Sequence, residues 1–273
     1  MSELEAIQKA SFPITRSIIA EDLRTLGVKR GMTLIVHSSL SAMGWVNGGA
    51  VAVIQALLDV LTPAGTLVMP THSGDLSDPA EWSNPPVPPN WHTIIRETMP
   101  AYDARLTPTR GMGRIPELFR TWPEVRRSDH PQVSFAAWGK EATFITAIHK
   151  LKNSMGESSP LARIYDLDGY VLLLGVGYGN NTSFHLAEYR VPDPPLMMQG
   201  APVWENGRSV WKTFSDVDTD AAPFPAIGNA FEKVHQVAVG KVGLATCRFF
   251  AQRPAVDFAE KWIADYRQVQ QGR

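Results

Sequence analysis

Residues 32–69 read MTLIVHSSLSAMGWVNGGAVAVIQALLDVLTPAGTLVM. Met32 to Val36 is a short apolar run and reads as a buried strand that ends at His37-Ser38-Ser39. From Gly49 to Leu61 the apolar positions Val53, Ile54, Leu57, Leu58 and Leu61 recur at helical spacing. Pro63-Ala-Gly65 is a turn, and Thr66 to Met69 is a second apolar strand. Strand, helix and strand at this spacing form a βαβ unit, because parallel neighbours need a crossover that a helix supplies. The stretch predicts an α/β fold with a mostly parallel central sheet flanked by helices.

The flanks extend this pattern. Upstream, Thr15 or Ser17 caps a helix with Ile18, Ile19, Leu23 and Leu26 on its apolar face, and Gly27 stops it. Downstream, residues 71–92 hold five prolines and two tryptophans without periodicity, which marks a functional or disordered loop; the tryptophans favour an ordered one. Val133 to Trp138 is strand-like and Glu141 to Leu151 helix-like, while the unbroken run Gly169 to Leu174 reads as a central strand. A helix over Asn181 to Arg190 follows the glycine-rich turn. Val203 to Glu205 and Ser209 to Thr213 flank Asn206-Gly207, a strong hairpin signal. A helix over Ala226 to His235, a strand over Val242 to Phe250 and a helix over Val256 to Gln268 complete the chain. The reading is one domain over 1–273, with an antiparallel hairpin subregion near 200–250.

The 273 residues carry a formal net charge of −1, which argues against nucleic acid as the main partner. The lone cysteine, Cys247, permits no intramolecular disulfide and suits a reducing cytoplasm. The first 15 residues lack an apolar run of secretory length, and no run reaches the roughly 18 apolar residues of a membrane span. The expectation is a cytoplasmic protein with no membrane partner.

Asn181-Thr-Ser-Phe-His185-Leu-Ala-Glu188 is the strongest chemical constellation. His185 and Glu188 are three apart, so on a helix they share a face and can hydrogen-bond. A carboxylate that fixes one imidazole nitrogen leaves the other free to take a proton. The helix begins just beyond the end of a buried strand, where open α/β sheets place ligands. Spacing alone favours an exposed pair with no role. Gly175-x-Gly177-x-Gly179 lacks the third glycine and acidic partner of a dinucleotide fingerprint, so it reads as a turn allowing close backbone approach. Thr107-Pro-Thr-Arg110-Gly-Met-Gly113-Arg114, ahead of a helix over Ile115 to Trp122, can hold phosphates or be an ordinary loop. His37 and His72 sit at strand ends as plausible site residues, His130 reads as bracing its loop, with a second catalytic imidazole as the alternative, and His92, His149 and His235 read as incidental.

The chain has no G-x-S-x-G elbow, H-E-x-x-H, C-x-x-C or Walker lysine, and His185 with Glu188 has no convincing third metal ligand. Asp75, Asp78 and Glu81, then Asp216, Asp218 and Asp220, with Trp82, Trp91 and Trp211 nearby in sequence, would edge an acidic cleft or be solvated loop acids.

Six blocks in order, Ile35-Val-His-Ser-Ser-Leu40, Gly44 to Ala50, Gly65 to Thr71, Arg127 to Pro131, Leu172 to Val176 and Asn181 to Glu188, resemble the motifs of the aminoglycoside 3-N-acetyltransferases. The likeness runs from about residue 15 to 265. It implies a fold distinct from the common acetyltransferase superfamily. It also implies acetyl-CoA as co-substrate, no metal, and transfer to the 3-amino group of a 2-deoxystreptamine aminoglycoside. The resemblance puts the family's histidine on His185 and its carboxylate on Glu188. The candidate cofactor contacts are His37, Ser38, Ser39, Leu40, Thr71, Thr109, Arg110, Met112, Gly113, Arg114 and Phe135. Backbone N–H groups near Ser38 or Thr71 would serve the developing oxyanion. Asp75, Trp82, Asp216 and Asp218 are the candidate acceptor contacts. A homodimer is compatible with the resemblance. The Pro-rich loop Ser83-Asn-Pro-Pro-Val-Pro-Pro departs from the best-known resistance enzymes. It keeps open a same-fold acyltransferase on a non-antibiotic amine. A metal-dependent hydrolase and a non-catalytic binding module are further alternatives.

Overall fold

The computed structural model describes residues 3–9 and 12–271, so part of the N-terminal leader reading lies outside the described residues. The first elements are α1 (Glu3–Lys9), α2 (Arg16–Leu26), β1 (Thr33–Ser38), α3 (Gly49–Leu61), β2 (Thr66–Pro70), α4 (His92–Thr98) and α5 (Arg114–Phe119). The middle of the chain forms β3 (Arg126–Arg127), β4 (Phe135–Gly139), α6 (Ala142–Thr146), α7 (Pro160–Asp166), β5 (Tyr170–Leu174) and α8 (Ser183–Arg190). Last come β6 (Leu196–Glu205), β7 (Arg208–Val217), α9 (Phe224–Val234), β8 (Ala238–Val242), β9 (Ala245–Ala251) and α10 (Gln252–Gln271).

The βαβ unit is present: β1 and β2 pair in parallel with Thr33 opposite Thr66, and α3 crosses between them. β1 also pairs in parallel with β5. The central sheet has seven strands in the order β3-β4-β2-β1-β5-β9-β8. Its outer pairings, β2–β4, β3–β4, β5–β9 and β8–β9, are antiparallel, which corrects the expectation of a mostly parallel sheet. Strand composition reports burial on both faces but not direction, so the apolar runs of β4 and β9 looked like those of β1 and β5. The late addition divides in two. β6 and β7 form a separate two-stranded sheet, closed by Asn206 and Gly207 at φ 50° and 76°, the left-handed pair of a type I′ turn. The expected strand Val242 to Phe250 is β9 from Ala245 onward; its first residue, Val242, instead ends β8, the turn at Gly243 (φ 56°) lies between them, and both strands continue the main sheet.

Alternation along the strands divides the core between the two sheet faces. Leu34, Val36, Leu67, Met69, Leu172 and Leu174 pack under α2, α3 and α5. Ile35, Val68, Val171 and Leu173 pack under α6 to α10. α2 has the expected caps: Thr15 Oγ1 accepts from Ile18 N, and Gly27 at φ 110° returns its N–H to Arg24 and Leu23 carbonyls. The expected helix Glu141 to Leu151 stops at Thr146, since His149 beyond it is drawn into a buried polar network.

Candidate active site

The carboxyl ends of β1, β2 and β5 meet at one edge of the sheet, where the chain leaves β1 toward β2 on one side and β5 lies on the other. Open sheets bind ligands at such a point. A cavity of about 240 Å³ opens there, lined by His37, Ser38, His72, Met112, His185 and Phe224 among others. Gly175, at φ 72°, ends β5. A Cβ there would lie 2.6 Å from that of Ala42, so this glycine's close approach is to the protein's own turn rather than to a ligand.

His185 stands in the first turn of α8, and its Nδ1 is 2.5 Å from Glu188 Oε2. Glu188 is 3% exposed, and its Oε1 accepts the Asp220 N–H at 2.8 Å. A buried carboxylate is tolerable only when paired and hydrogen-bonded, and both oxygens are engaged. The carboxylate therefore holds the proton on Nδ1 and leaves Nε2 as the nitrogen available to the cavity. The Phe224 ring meets the imidazole edge-on at 4.8 Å and fixes its plane. Neither Phe224 nor the Asp220 amide carried a sequence signal, because both reach His185–Glu188 from the far side of the β6–β7 hairpin.

His37 and His72 line the same cavity. Burial, and then repulsion by His185, lowers both imidazoles to about pKa 3, so they are neutral near pH 7. Their Nε2 atoms, and Ser38 Oγ, are buried without a hydrogen-bond partner. His130 and His149 lie deeper. His130 Nδ1 accepts from the Gln132 and Val133 amides at 3.2 and 3.1 Å, the bracing role expected for it. His149, expected to be incidental, bonds Ser128 Oγ at 2.9 Å and the Ser154 carbonyl at 2.6 Å. Burial brings His130 down to about pKa 4. An unfolded histidine titrates near 6.5, so in acid the unfolded chain binds more protons. The stability held by these neutral imidazoles is complete above about pH 6.5 and is lost as pH falls toward 4. His37 and His130 should each account for about 2 kcal/mol lost by pH 5, read from urea midpoints at pH 7.5 and 5. Equal midpoints would contradict neutral burial.

The other expected contacts divide. Ser39 and Leu40 form the turn after β1: the Ser39 N–H bonds the Leu174 carbonyl at 2.9 Å, and Leu40 packs against the core. Thr71 is fully buried. Its N–H donates to the Ser134 carbonyl at 2.8 Å and its hydroxyl accepts from Arg127 Nε at 3.1 Å, so this amide is already used and is not a free oxyanion donor. Phe135 is wholly interior and backs His72 edge-on at 5.4 Å. The 109–114 segment wraps over the strand ends: Thr109 N–H bonds Glu117 Oε2 at 2.7 Å, and Arg110 N–H bonds the His72 carbonyl at 2.8 Å. Gly113 takes φ 84° at the start of α5, and Arg110 and Arg114 are exposed. On the acceptor side, Asp75 is paired with Arg110 at 3.5 Å and Trp82 Nε1 donates to Ser77 Oγ at 3.0 Å. Asp218 is exposed. Asp216 is 3% exposed and accepts the Asn153, Ser154 and Val217 amides, so its charge is spent within the protein. Among the described residues no group of three or more His, Cys, Asp or Glu side chains is arranged to hold a metal ion, and no helix is long and apolar enough to cross a membrane.

The oriented His185 imidazole lies at the carboxyl ends of parallel strands, and comparison with known proteins supplies the family. The aminoglycoside 3-N-acetyltransferase family matches residues 35–264, and the chain belongs to that family, whose members are acyltransferases. It is 55% identical over 258 residues to the SPbeta prophage-derived aminoglycoside N(3')-acetyltransferase-like protein YokD of Bacillus subtilis (strain 168), covering 94% of this chain and 95% of that one. A structure of AAC-IIIb as a binary complex with CoASH superposes at TM-score 0.82 with 30% identity, covering 92% of this chain and 97% of the other. AAC-VIa bound to sisomicin superposes at TM-score 0.84 with 30% identity, covering 93% and 99%.

Proposed function

We propose that this protein transfers acetyl directly from acetyl-CoA to a primary amine, with His185 as general base and Glu188 as the group that orients it. The observation carrying this reading is the 2.5 Å bond from His185 Nδ1 to a buried, doubly engaged carboxylate at a ligand-sized cavity. An ammonium has no lone pair, so the acceptor must react as the free amine. As its nitrogen bonds the acetyl carbon, its proton passes to His185 Nε2, and the carbon–sulfur bond breaks with the thiolate leaving. The unpartnered Ser38 hydroxyl suits the thioester carbonyl, a role that the occupied Thr71 amide does not serve. Arg110 and Arg114, exposed on the segment that borders the cavity, suit the phosphates of acetyl-CoA.

The family acceptor, the 3-amino group of a 2-deoxystreptamine aminoglycoside, is the first to try. A non-antibiotic amine is the second reading, favoured by the fate of the acids: Asp216 is interior, and Asp75 and Asp78 are matched by arginines. The direct route is tested by intact mass. Incubated with acetyl-CoA alone, the protein should keep its mass, and acetyl should appear only on an added amine. A stoichiometric acetylated protein that then hands acetyl to the amine would overturn it.

A further inference from the structure

Arg127, on β3, is not part of the wall of the His185 cavity, yet its guanidinium is fully committed to neutral oxygens. Nη1 donates to the Ala104 and Thr107 carbonyls at 3.3 and 2.5 Å. Nη2 donates to the Thr71 carbonyl at 2.6 Å and to Ser73 Oγ at 2.8 Å. The Nε proton is shared between Thr71 Oγ1 at 3.1 Å and Ser134 Oγ at 3.0 Å. An arginine carries five N–H groups in a rigid fork, so none is left over. The Tyr102 ring lies under the guanidinium, 5.1 Å from its carbon. The ion pairs among the described residues do not include Arg127. Such a cation contributes geometry more than charge, since a lysine would hold the same charge at a single point.

The fork joins two parts of the chain that face each other across the site. Nη2 and Nε hold Thr71 and Ser73, on either side of His72, whose ring lines the cavity. Nη1 holds the 104–107 stretch, which leads directly into the 109–114 segment. Residues 101–113 form neither helix nor strand, and Gly111 and Met112 among them line the cavity. Their position therefore depends on side-chain ties. Glu117 and Arg120 fasten the stretch to α5, through the Thr109 N–H at 2.7 Å and the Arg105 carbonyl at 2.8 Å. Arg127 fastens it to the end of β2, beside the Arg110 N–H bond to the His72 carbonyl.

We propose that Arg127 is a positioning residue for acetyl-CoA: without touching the cofactor, it registers the 104–114 segment against the end of β2 and so sets cofactor affinity. The proposal rests on the acetyl-transfer reading, in which Arg110 and Arg114 meet the cofactor's phosphates. Arg127→Lys keeps the charge but cannot span both parts of the chain. The segment then spends less time in its binding arrangement, and affinity falls in proportion. The calorimetric Kd and the KM for acetyl-CoA should rise about tenfold, with kcat and the amine KM within about twofold of wild type. Amide exchange in the folded protein should quicken at Thr107, Thr109 and Arg110 but not in β1, β5 or α10. Ile263→Ala, a core change in α10, controls for loss of stability: it should lower the urea midpoint and leave the acetyl-CoA Kd unchanged. Wild-type acetyl-CoA affinity in Arg127→Lys, exchange raised evenly along its chain, or an equal rise in Kd in Ile263→Ala would overturn the proposal. Acetyl-CoA binding that Arg127→Lys weakens, with no thiol release from any amine, would support the proposal and overturn the acetyl-transfer reading alone.

Discussion

His185→Ala should lower turnover by about 10²–10⁴-fold while leaving acetyl-CoA binding within about twofold of wild type. In the proposed mechanism the ring acts through Nε2, and its orientation comes from the Nδ1 bond to Glu188 and the edge contact with Phe224. Alanine removes the base without touching β1, β2 or the 109–114 segment. Glu188→Gln gives a graded version of the same loss. Glutamine can keep one of the two bonds that Glu188 accepts, but its amide presents a donor where the other bond needs an acceptor. Steady-state kinetics with calorimetric acetyl-CoA binding check both; an alanine variant with near-normal kcat would remove His185 from the mechanism.

Asp216→Ala should destabilise the fold rather than weaken acceptor binding. Three backbone amides, of Asn153, Ser154 and Val217, would lose a charged acceptor in the interior at once. Hydrogen bonds to charged groups are worth about 1.5–3 kcal/mol each, and buried orphan donors cost about 1–3 kcal/mol. Since such losses overlap, the expected cost is about 3–5 kcal/mol, read as a fall in the urea midpoint with an unchanged slope. Asp218→Asn, on an exposed residue, is the contrast and should leave the midpoint unaltered. An Asp216→Ala protein of wild-type stability with a raised acceptor KM would restore Asp216 to the acceptor site.

Much of this architecture is legible in the amino-acid sequence. The period of the Gly49–Leu61 stretch marked a helix whose bounds the structure reproduces, and Asn206-Gly207 marked its turn, because both signals are local. The His185–Glu188 pair was visible for the same reason: three residues on one helix fix the distance. Strand direction was not legible, since an apolar run buried on both faces reads alike either way, and so β4 and β9 carried no sign of running antiparallel to their neighbours. The hairpin between β8 and β9 was hidden because Gly243 alone signals a break, and a strand tolerates one glycine. Asp216 misled because an acidic residue amid polar neighbours looks solvated. Its partners Asn153 and Ser154 come from a distant loop that only the fold brings near.

The proposed reaction passes acetyl from acetyl-CoA to a neutral amine at the His185 cavity. Its test is acceptor-dependent thiol release from acetyl-CoA by the purified protein, over aminoglycosides and simple amines with each product weighed. Thiol release that requires an amine and adds a single acetyl group to it, and that His185→Ala abolishes, is the result expected here. Thiol release at the same rate without any amine, or unchanged by the loss of His185, would contradict it.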